Sequence, residues 1–505
     1  MTPARPSTIC ILGGGTSGWM AANLFRHHWG AAGTRITLIE SSGIGIIGVG
    51  EGSTPQLKNF FDTLEIAEQE WMPRCNATYK TGIEFVSWSD RPGFERYFHP
   101  FATDVDSRTV PQFVFNTRAR RSGVDVPAHP DSFFLPTALA RKRLAPIASD
   151  NFPFDVSYGY HFDAHLVGGY LREIAVARGV EHADARIADV ELAENGDVVA
   201  LIADDGRRFE AELFVDASGF RSVIMEQALG EPYLSFAENL FNDSAVTAPT
   251  PVAFGGPDCC TRAFAGTAGW IWQIPLTNRT GNGYVYSSRY LDREAAAAEL
   301  GDHLGLPADA EVRHLNMRVG RVERSWVRNC LSIGLAQGFI EPLEATALHI
   351  VAVTVAAFIR DVDTLGCTPK AHASFNREIM RRYEAIRDYI VCHYRAARRS
   401  DTDYWRDATS HDRLSDSLQA LMTCWSTAGD LVKEVAQQGV PSGFSAASWH
   451  CMLAGYGNFP LRERLKAPAP AGQYADMAAI GRFISACAQN FPTHNRALGL
   501  LQEAA

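Results

Sequence analysis

Gly13-x-Gly15-x-x-Gly18 follows an apolar run, Thr8 to Leu12, and opens a stretch in which Trp19, Ala22 and Phe25 recur at helical spacing. Glycines there permit a tight turn and close approach of a pyrophosphate, whose charge meets the amides of a helix N-terminus. Thr16 and Ser17 complete the turn. Glu40 ends the next strand-like run, Arg35 to Glu40, where a carboxylate can accept hydrogen bonds from a ribose. Strand, turn, helix and acid in register make a dinucleotide-binding pattern, far more specific than the glycines alone. Trp270-Ile-Trp272-Gln-Ile274-Pro275 places two indoles at strand alternation, on one face of a sheet. Lys80 by itself reads as a solvated lysine, and Glu344, just ahead of a helical pattern starting near Thr346, as a carboxylate favouring a helix dipole.

The elements that must position these residues can be read along the 505-residue chain. A glycine-rich segment, Ser41 to Pro55, includes Gly50 and has neither helical nor strand period; ordered glycine of this density usually lies against a ligand or other backbone. A polar, aromatic-rich region follows to about Asp155. Asp184 to Asp204 alternates around Asn195-Gly196 and predicts a β-hairpin. Glu212 to Val215 is strand-like and leads into Asp216-Ala-Ser-Gly219. Strands are also expected at Gly269 to Pro275 and Leu331 to Gly334. Beyond Glu344, helices are expected over Ala347 to Val362, Phe375 to Arg399, Leu414 to Gln438 and Ala475 to Ala488, with Ala467 to Gly472 as a linker. The fold class is α/β: a Rossmann-type FAD-binding module of the flavin monooxygenase kind with a mainly helical substrate module. The expected domains are 1–345, carrying a substrate-side insertion at about 60–155, and 346–505.

Composition narrows the function. With 46% hydrophobic residues and a net charge of −10, the chain is a globular protein and a poor candidate for nucleic acid or an anionic membrane. No apolar run is long enough to span a bilayer. Ten cysteines without a C-x-x-C fit a reduced, cytoplasmic enzyme with no metal centre.

The motifs together resemble the flavin-dependent tryptophan halogenases. The likeness is carried by GGGTSGWMAA (13–22), GVGEGSTP (48–55), the Lys80 region, YFHPF (97–101), W-x-W-x-I-P, GFIEPLEAT (338–346), SDTDYW (400–405) and CMLAGYGNFP (451–460). The resemblance implies FAD as FADH2 from a separate NADH-dependent flavin reductase, dioxygen, a halide ion, a small indole-like aromatic substrate, and a homodimer. Gly13, Gly15, Thr16, Ser17, Gly18, Glu40, Gly50, Asp216, Gly219 and Gly334 would hold FAD; for Asp216 an ordinary Asp-initiated turn is the alternative. Lys80 would present hypohalous acid, by hydrogen bonding or as a haloamine, and Glu344 rather than Glu341 would assist substitution. The amides of Thr346 and Ala347 would take the halide, and His99 and Phe101 would sandwich an indole. Trp270, Trp272, Ile274 and Pro275 would wall the passage that keeps substrate from the flavin.

Two departures qualify the likeness. Ala345 and Ala347 stand where the family often has Ser and Gly. Trp449-His450 stands where members acting on free tryptophan carry a Tyr-Tyr pair that grips the carboxylate. Trp449 and His450 are still expected to line the substrate pocket, but free tryptophan does not follow as the substrate, and loss of the clamp would open the pocket's far side to larger molecules. The expected function is FADH2- and O2-dependent chlorination or bromination of an indole or other electron-rich aromatic. Its rivals are an NAD(P)H-using FAD aromatic hydroxylase and a non-catalytic flavin-binding protein.

Overall fold

A computed structural model describes residues 5–43, 50–307, 309–439, 443–469 and 474–504. Residues 44–49 of the glycine-rich segment and 470–472 of the expected linker lie outside the described residues. Two compact units emerge, each assembled from three stretches of chain. The first comprises Met1–Asn76, Phe162–Ala237 and Arg318–Glu384; the second comprises Ala77–His161, Glu238–Met317 and Ala385–Ala505. A single cut at 345/346 therefore does not separate them, because strands far apart in sequence complete the same sheets.

The first unit is built on a six-stranded sheet. Its order is Trp326–Val327, Cys330–Ser332, Leu213–Asp216, Thr8–Leu12, Arg35–Glu40, Glu181–Asp184, and every pair but the first is parallel. The Thr8–Leu12 strand is central and buried, as its unbroken apolar run requires. The Thr16–Trp29 helix crosses over to the next parallel strand and packs against the Ala164–Ala177 and Ala347–Leu365 helices. Beneath the sheet, Cys10, Leu12, Ile39 and Phe214 share one core with Ile187, Leu201 and Ala203 of the expected hairpin, whose strands run Ile187–Leu192 and Val198–Ala203.

The second unit has a seven-stranded sheet, ordered Arg313–Asn316, Ser244–Thr250, Thr280–Tyr286, Gly269–Pro275, Thr261–Ala265, Gly82–Val86, Arg96–Pro100. It is antiparallel except where Thr261–Ala265 meets Gly82–Val86. Helices fill the rest of this unit, and one expectation fails among them. The 414–438 region is two helices, Asp416–Ser426 and Leu431–Gln438, parted where Ala428 takes a left-handed φ of 54° before Gly429. The Pro369–Ala396 helix begins six residues ahead of the expected Phe375 start, and Ala347–Leu365 runs past Val362 to the Gly366 cap.

Candidate active site

In the first unit the glycine turn is held by backbone on several sides. Gly13 has φ 120°, and a Cβ there would lie 2.2 Å from the Ala217 carbonyl oxygen. Its amide donates to the Ile39 carbonyl at 2.8 Å. A Cβ on Gly18 would meet the Gly13 oxygen at 1.9 Å, and one on Gly14 would strike the Glu40 carboxylate at 1.6 Å. Gly15 differs: a Cβ there would have no neighbour within 4 Å. Gly15 caps the Thr16–Trp29 helix with no side-chain hydrogen bond. The turn is thus closed on its protein side, open at Gly15, and ends in helix amides that no side chain caps. This is the cradle a pyrophosphate requires, so the residues fit a dinucleotide.

The other expected flavin residues divide into contact candidates and supports. Glu40 lies 2.9 Å from His182 Nε2 and 3.6 Å from the Arg172 guanidinium, and its side chain keeps 17% of its surface exposed, leaving it able to meet a ribose. Asp216 is fully buried and fully used. Its Oδ1 accepts from the Ser218 amide and hydroxyl, its Oδ2 from the amides of Ile224 and Met225, all at 2.6 to 3.0 Å. Burial raises its pKa, and those four donors oppose the rise. Asp216 therefore behaves as the turn-forming aspartate and holds Ser218-Gly219 in place. Thr16 donates to the Ala164 carbonyl at 3.2 Å, while Ser17 Oγ lies 2.6 Å from where Gly334 would carry a Cβ. Gly50 is buried at the start of the short Gly50–Gly52 strand.

Glu344 lies in the same unit, on the Pro342–Glu344 turn, 2% exposed; Glu341 is completely buried. Ala345 then adopts φ 55°, a left-handed conformation costing an alanine on the order of 1 kcal/mol. That kink aims the chain into the Ala347–Leu365 helix, whose cap Thr346 makes no side-chain capping bond. Thr346 is buried and Ala347 exposed, so the amides expected to take a halide start a long helix without a competing side chain. One turn on, His349 Nδ1 lies 3.2 Å from the Thr54 hydroxyl, and burial pushes its pKa down to about 4.

Lys80 belongs to the second unit and is completely buried on the Thr78–Lys80 strand, contrary to the reading of an isolated lysine. That strand pairs antiparallel with 159–161, Thr78 opposite His161 and Lys80 opposite Gly159. The Thr78 hydroxyl donates to the Pro275 carbonyl at 2.7 Å, tying the lysine strand to the W-x-W-x-I-P strand. It can then only accept from His161 Nδ1, at 3.0 Å, which leaves His161 Nε2 to accept from Thr261, also at 3.0 Å. Burial, with the Lys80 charge as second cause, holds the His161 pKa well below its usual value. His494 closes the other side. Its Nδ1 donates to the Pro257 carbonyl at 2.9 Å and its Nε2 accepts from the Tyr79 amide at 3.2 Å. Two neutral histidines thus brace the strand that carries the ammonium, a support invisible in the sequence because its members lie hundreds of residues apart.

Lys80 Nζ is 5.3 Å from the centroid of the Phe101 ring. The Phe101 amide donates to the Thr81 carbonyl at 2.9 Å, fixing the ring beside the lysine. His99, two residues earlier and 4% exposed, lies 3.3 Å from the Tyr389 hydroxyl and 3.4 Å from that of Tyr97. Trp449 meets the Tyr389 ring edge-on at 4.7 Å. His450 is buried with Nδ1 2.8 Å from the Thr117 hydroxyl, its ring against Trp425, and burial pushes its pKa down to about 3. It packs helices together rather than presenting a cation. Trp270 and Trp272 are both buried, ring centroids 6.0 Å apart on one face, and Trp272 lies over Gly283 of the next strand. Ile274 and Pro275, also buried, continue that strand.

Tyr389 was not singled out from sequence. Its signal is the Tyr389–His393 pair, four apart in an amphipathic helix and therefore on one face. Among the described residues no cluster of His, Cys, Asp or Glu could hold a metal, and no helix is long and apolar enough to cross a membrane.

The family description "Tryptophan halogenase" matches residues 8–470. The tryptophan 6-halogenase SttH of Streptomyces toxytricini is 34% identical, covering 96% of this chain and 95% of its own. Among solved structures, Tar14, a tryptophan C-6 flavin-dependent halogenase from taromycin biosynthesis, superposes with TM-score 0.86 at 31% identity over 98% of this chain and 100% of that one. BrvH, a flavin-dependent halogenase from Brevundimonas sp. BAL3, gives 0.84 at 32% identity over 98% and 99%.

Proposed function

This chain belongs to the tryptophan halogenase family and is a flavin-dependent halogenase that needs a separate flavin reductase, and from that premise we propose that it halogenates an electron-rich aromatic with Lys80 and Glu344 as its catalytic residues. The Gly13–Gly18 turn and Glu40 would hold FAD, which in reduced form would supply, with dioxygen, the oxidation of halide to an electrophilic halogen. The amides of Thr346 and Ala347 hold the halide. Lys80 donates a hydrogen bond to hypohalous oxygen and so makes its halogen more electrophilic. Phe101 and His99 hold the ring by its π faces. Carbon–halogen bond formation puts positive charge on the ring. As the oxygen–halogen bond breaks, the hydroxide takes a proton from the Lys80 ammonium and leaves as water; the Glu344 carboxylate stabilises the ring charge and takes the ring proton, which it releases to solvent while Lys80 regains its own.

The observation that carries this reading is the complete burial of Lys80 beside Phe101. Burying an ammonium is costly, and a merely structural position would be served as well by an apolar side chain. Lys80→Ala should lower halogenated product, measured by mass spectrometry with FAD, NADH, a reductase and bromide, at least a thousandfold while flavin binding by fluorescence stays within twofold. Retained halogenation removes Lys80 from the mechanism. Glu344→Gln should slow turnover about a hundredfold at unchanged flavin affinity.

A further inference from the structure

We propose that this enzyme selects a small, uncharged aromatic, an indole bearing no amino-acid or peptide group, and that Trp449 and Tyr389 are the residues that set this selectivity. The inference rests on the halogenase reading and adds the substrate class.

The residues concerned all lie in the second unit. From Lys80 the apolar surface runs through Phe101 to His99, then to Tyr389, whose hydroxyl lies 3.3 Å from His99 Nε2 and whose ring meets the imidazole at 89°. Tyr389 is itself closed off. Phe444 stacks on it with centroids 3.6 Å apart and planes within 2°, and Trp449 packs against it edge-on at 4.7 Å and 78°. Rings at these separations are in van der Waals contact and leave no gap between them for a substituent. With Phe444 and Trp449 packed on Tyr389, aromatic side chains would fill the far side that loss of the carboxylate clamp could have opened.

The polar groups that could have replaced the clamp offer a carboxylate no cation. His450, at the second clamp position, donates from Nδ1 to the Thr117 hydroxyl, which itself donates to the Val114 carbonyl; its buried Nε2 is left as a neutral acceptor without a partner among the described residues, so it offers a carboxylate neither charge nor proton. The neighbouring guanidinium, Arg121, donates to the carbonyls of Trp425, Cys424 and Gly429, and its face covers the Trp425 ring at 4.4 Å. A tryptophan zwitterion brought here would lose its water without gaining a charged partner, whereas an unsubstituted indole would lose only apolar hydration. A tryptophan within a peptide adds bulk where the rings already touch.

The test is the ratio of kcat/KM values for indole, L-tryptophan and the peptide Gly-Trp-Gly, with bromide, FAD, NADH and a flavin reductase. Indole should exceed both others at least tenfold. Tryptophan or the peptide equal to or better than indole overturns the proposal. Trp449→Ala should raise KM for indole at least fivefold with kcat within threefold, and should narrow the indole-to-tryptophan ratio. Trp449→Tyr covers the case in which the alanine variant does not fold: restoring a hydroxyl should favour tryptophan over indole at least threefold relative to wild type. An unchanged ratio in that variant also overturns the proposal. Oxidised bromide is trapped in parallel with phenol red. Trapped bromine with equal turnover of the three probes sinks the selectivity alone, whereas no trapped bromine and no brominated probe sink the halogenase reading and this inference with it.

Discussion

Gly13 in the first unit and Gly283 in the second present the same geometric prohibition, since a Cβ on either would lie 2.2 Å from its nearest neighbour. What they would strike differs. At Gly13 the obstacle is the Ala217 carbonyl, fixed in the parallel sheet beside Asp216, and φ is 120°. At Gly283 it is the Trp272 ring, the end of a side chain that can turn, and no left-handed conformation is required. Backbone packed on backbone has no compliant part, while a face built from rings can yield. The first arrangement fixes the turn proposed to hold flavin; the second leaves adjustable the face proposed to wall a passage.

Substitution should separate the two. Gly13→Ala carries both strain and a backbone clash, and should cost about 3 kcal/mol or more and abolish flavin retention; urea unfolding together with bound-flavin absorbance would measure both. A loss below about 1 kcal/mol would mean the sheet is softer than its register suggests. Gly283→Ala should cost about 1–3 kcal/mol by displacing Trp272, with the flavin still bound. The informative reading there is product distribution: if the indole pair guards the flavin, displacement should raise uncoupled peroxide relative to halogenated product. Equal losses in the two variants would erase the distinction.

A third expected effect depends on pH and belongs to the second unit. His450 and His494 have folded pKa values pushed by burial to about 3 and about 4, below the ordinary value near 6.5. The unfolded chain therefore takes up protons on these groups first as pH falls. Their contribution is intact above about 6.5 and is lost on acidification from there toward 4 for His494 and toward 3 for His450, each histidine adding a slope of up to about 1.4 kcal/mol per pH unit. Thermal unfolding between pH 7.5 and 5 should show the decline, and His450→Gln should flatten it.

Legibility in the sequence follows the same division. The glycine turn, Glu40 and the strands flanking them are local in sequence, with steric reasons that act over a few residues; all of them were readable. The burial of Lys80 and Glu344 was not readable, because burial is a property of the assembled unit; their proposed roles come from the resemblance alone. Asp216 could be placed at the end of its strand, but not distinguished as support rather than ligand, since the amides of Ile224 and Met225 are what occupy it. The packing of His450 was not readable for a similar reason: its partner Thr117 is 333 residues away. The split of the 414–438 helix turns on Ala428 adopting a left-handed conformation, for which alanine gives no warning.

The interleaving of the two units bears on how the protein is made. Thr8–Leu12, the middle of the six-stranded sheet, pairs on one side with Leu213–Asp216, which in turn awaits Cys330–Ser332. A ribosome must deliver most of the chain before that sheet can close, and for a minute or less at ordinary elongation rates, about 5–20 residues per second, an apolar strand stands with an open edge. Folding should accordingly be slow and dependent on chaperones, and truncation at any point before residue 332 should give aggregated rather than half-active protein.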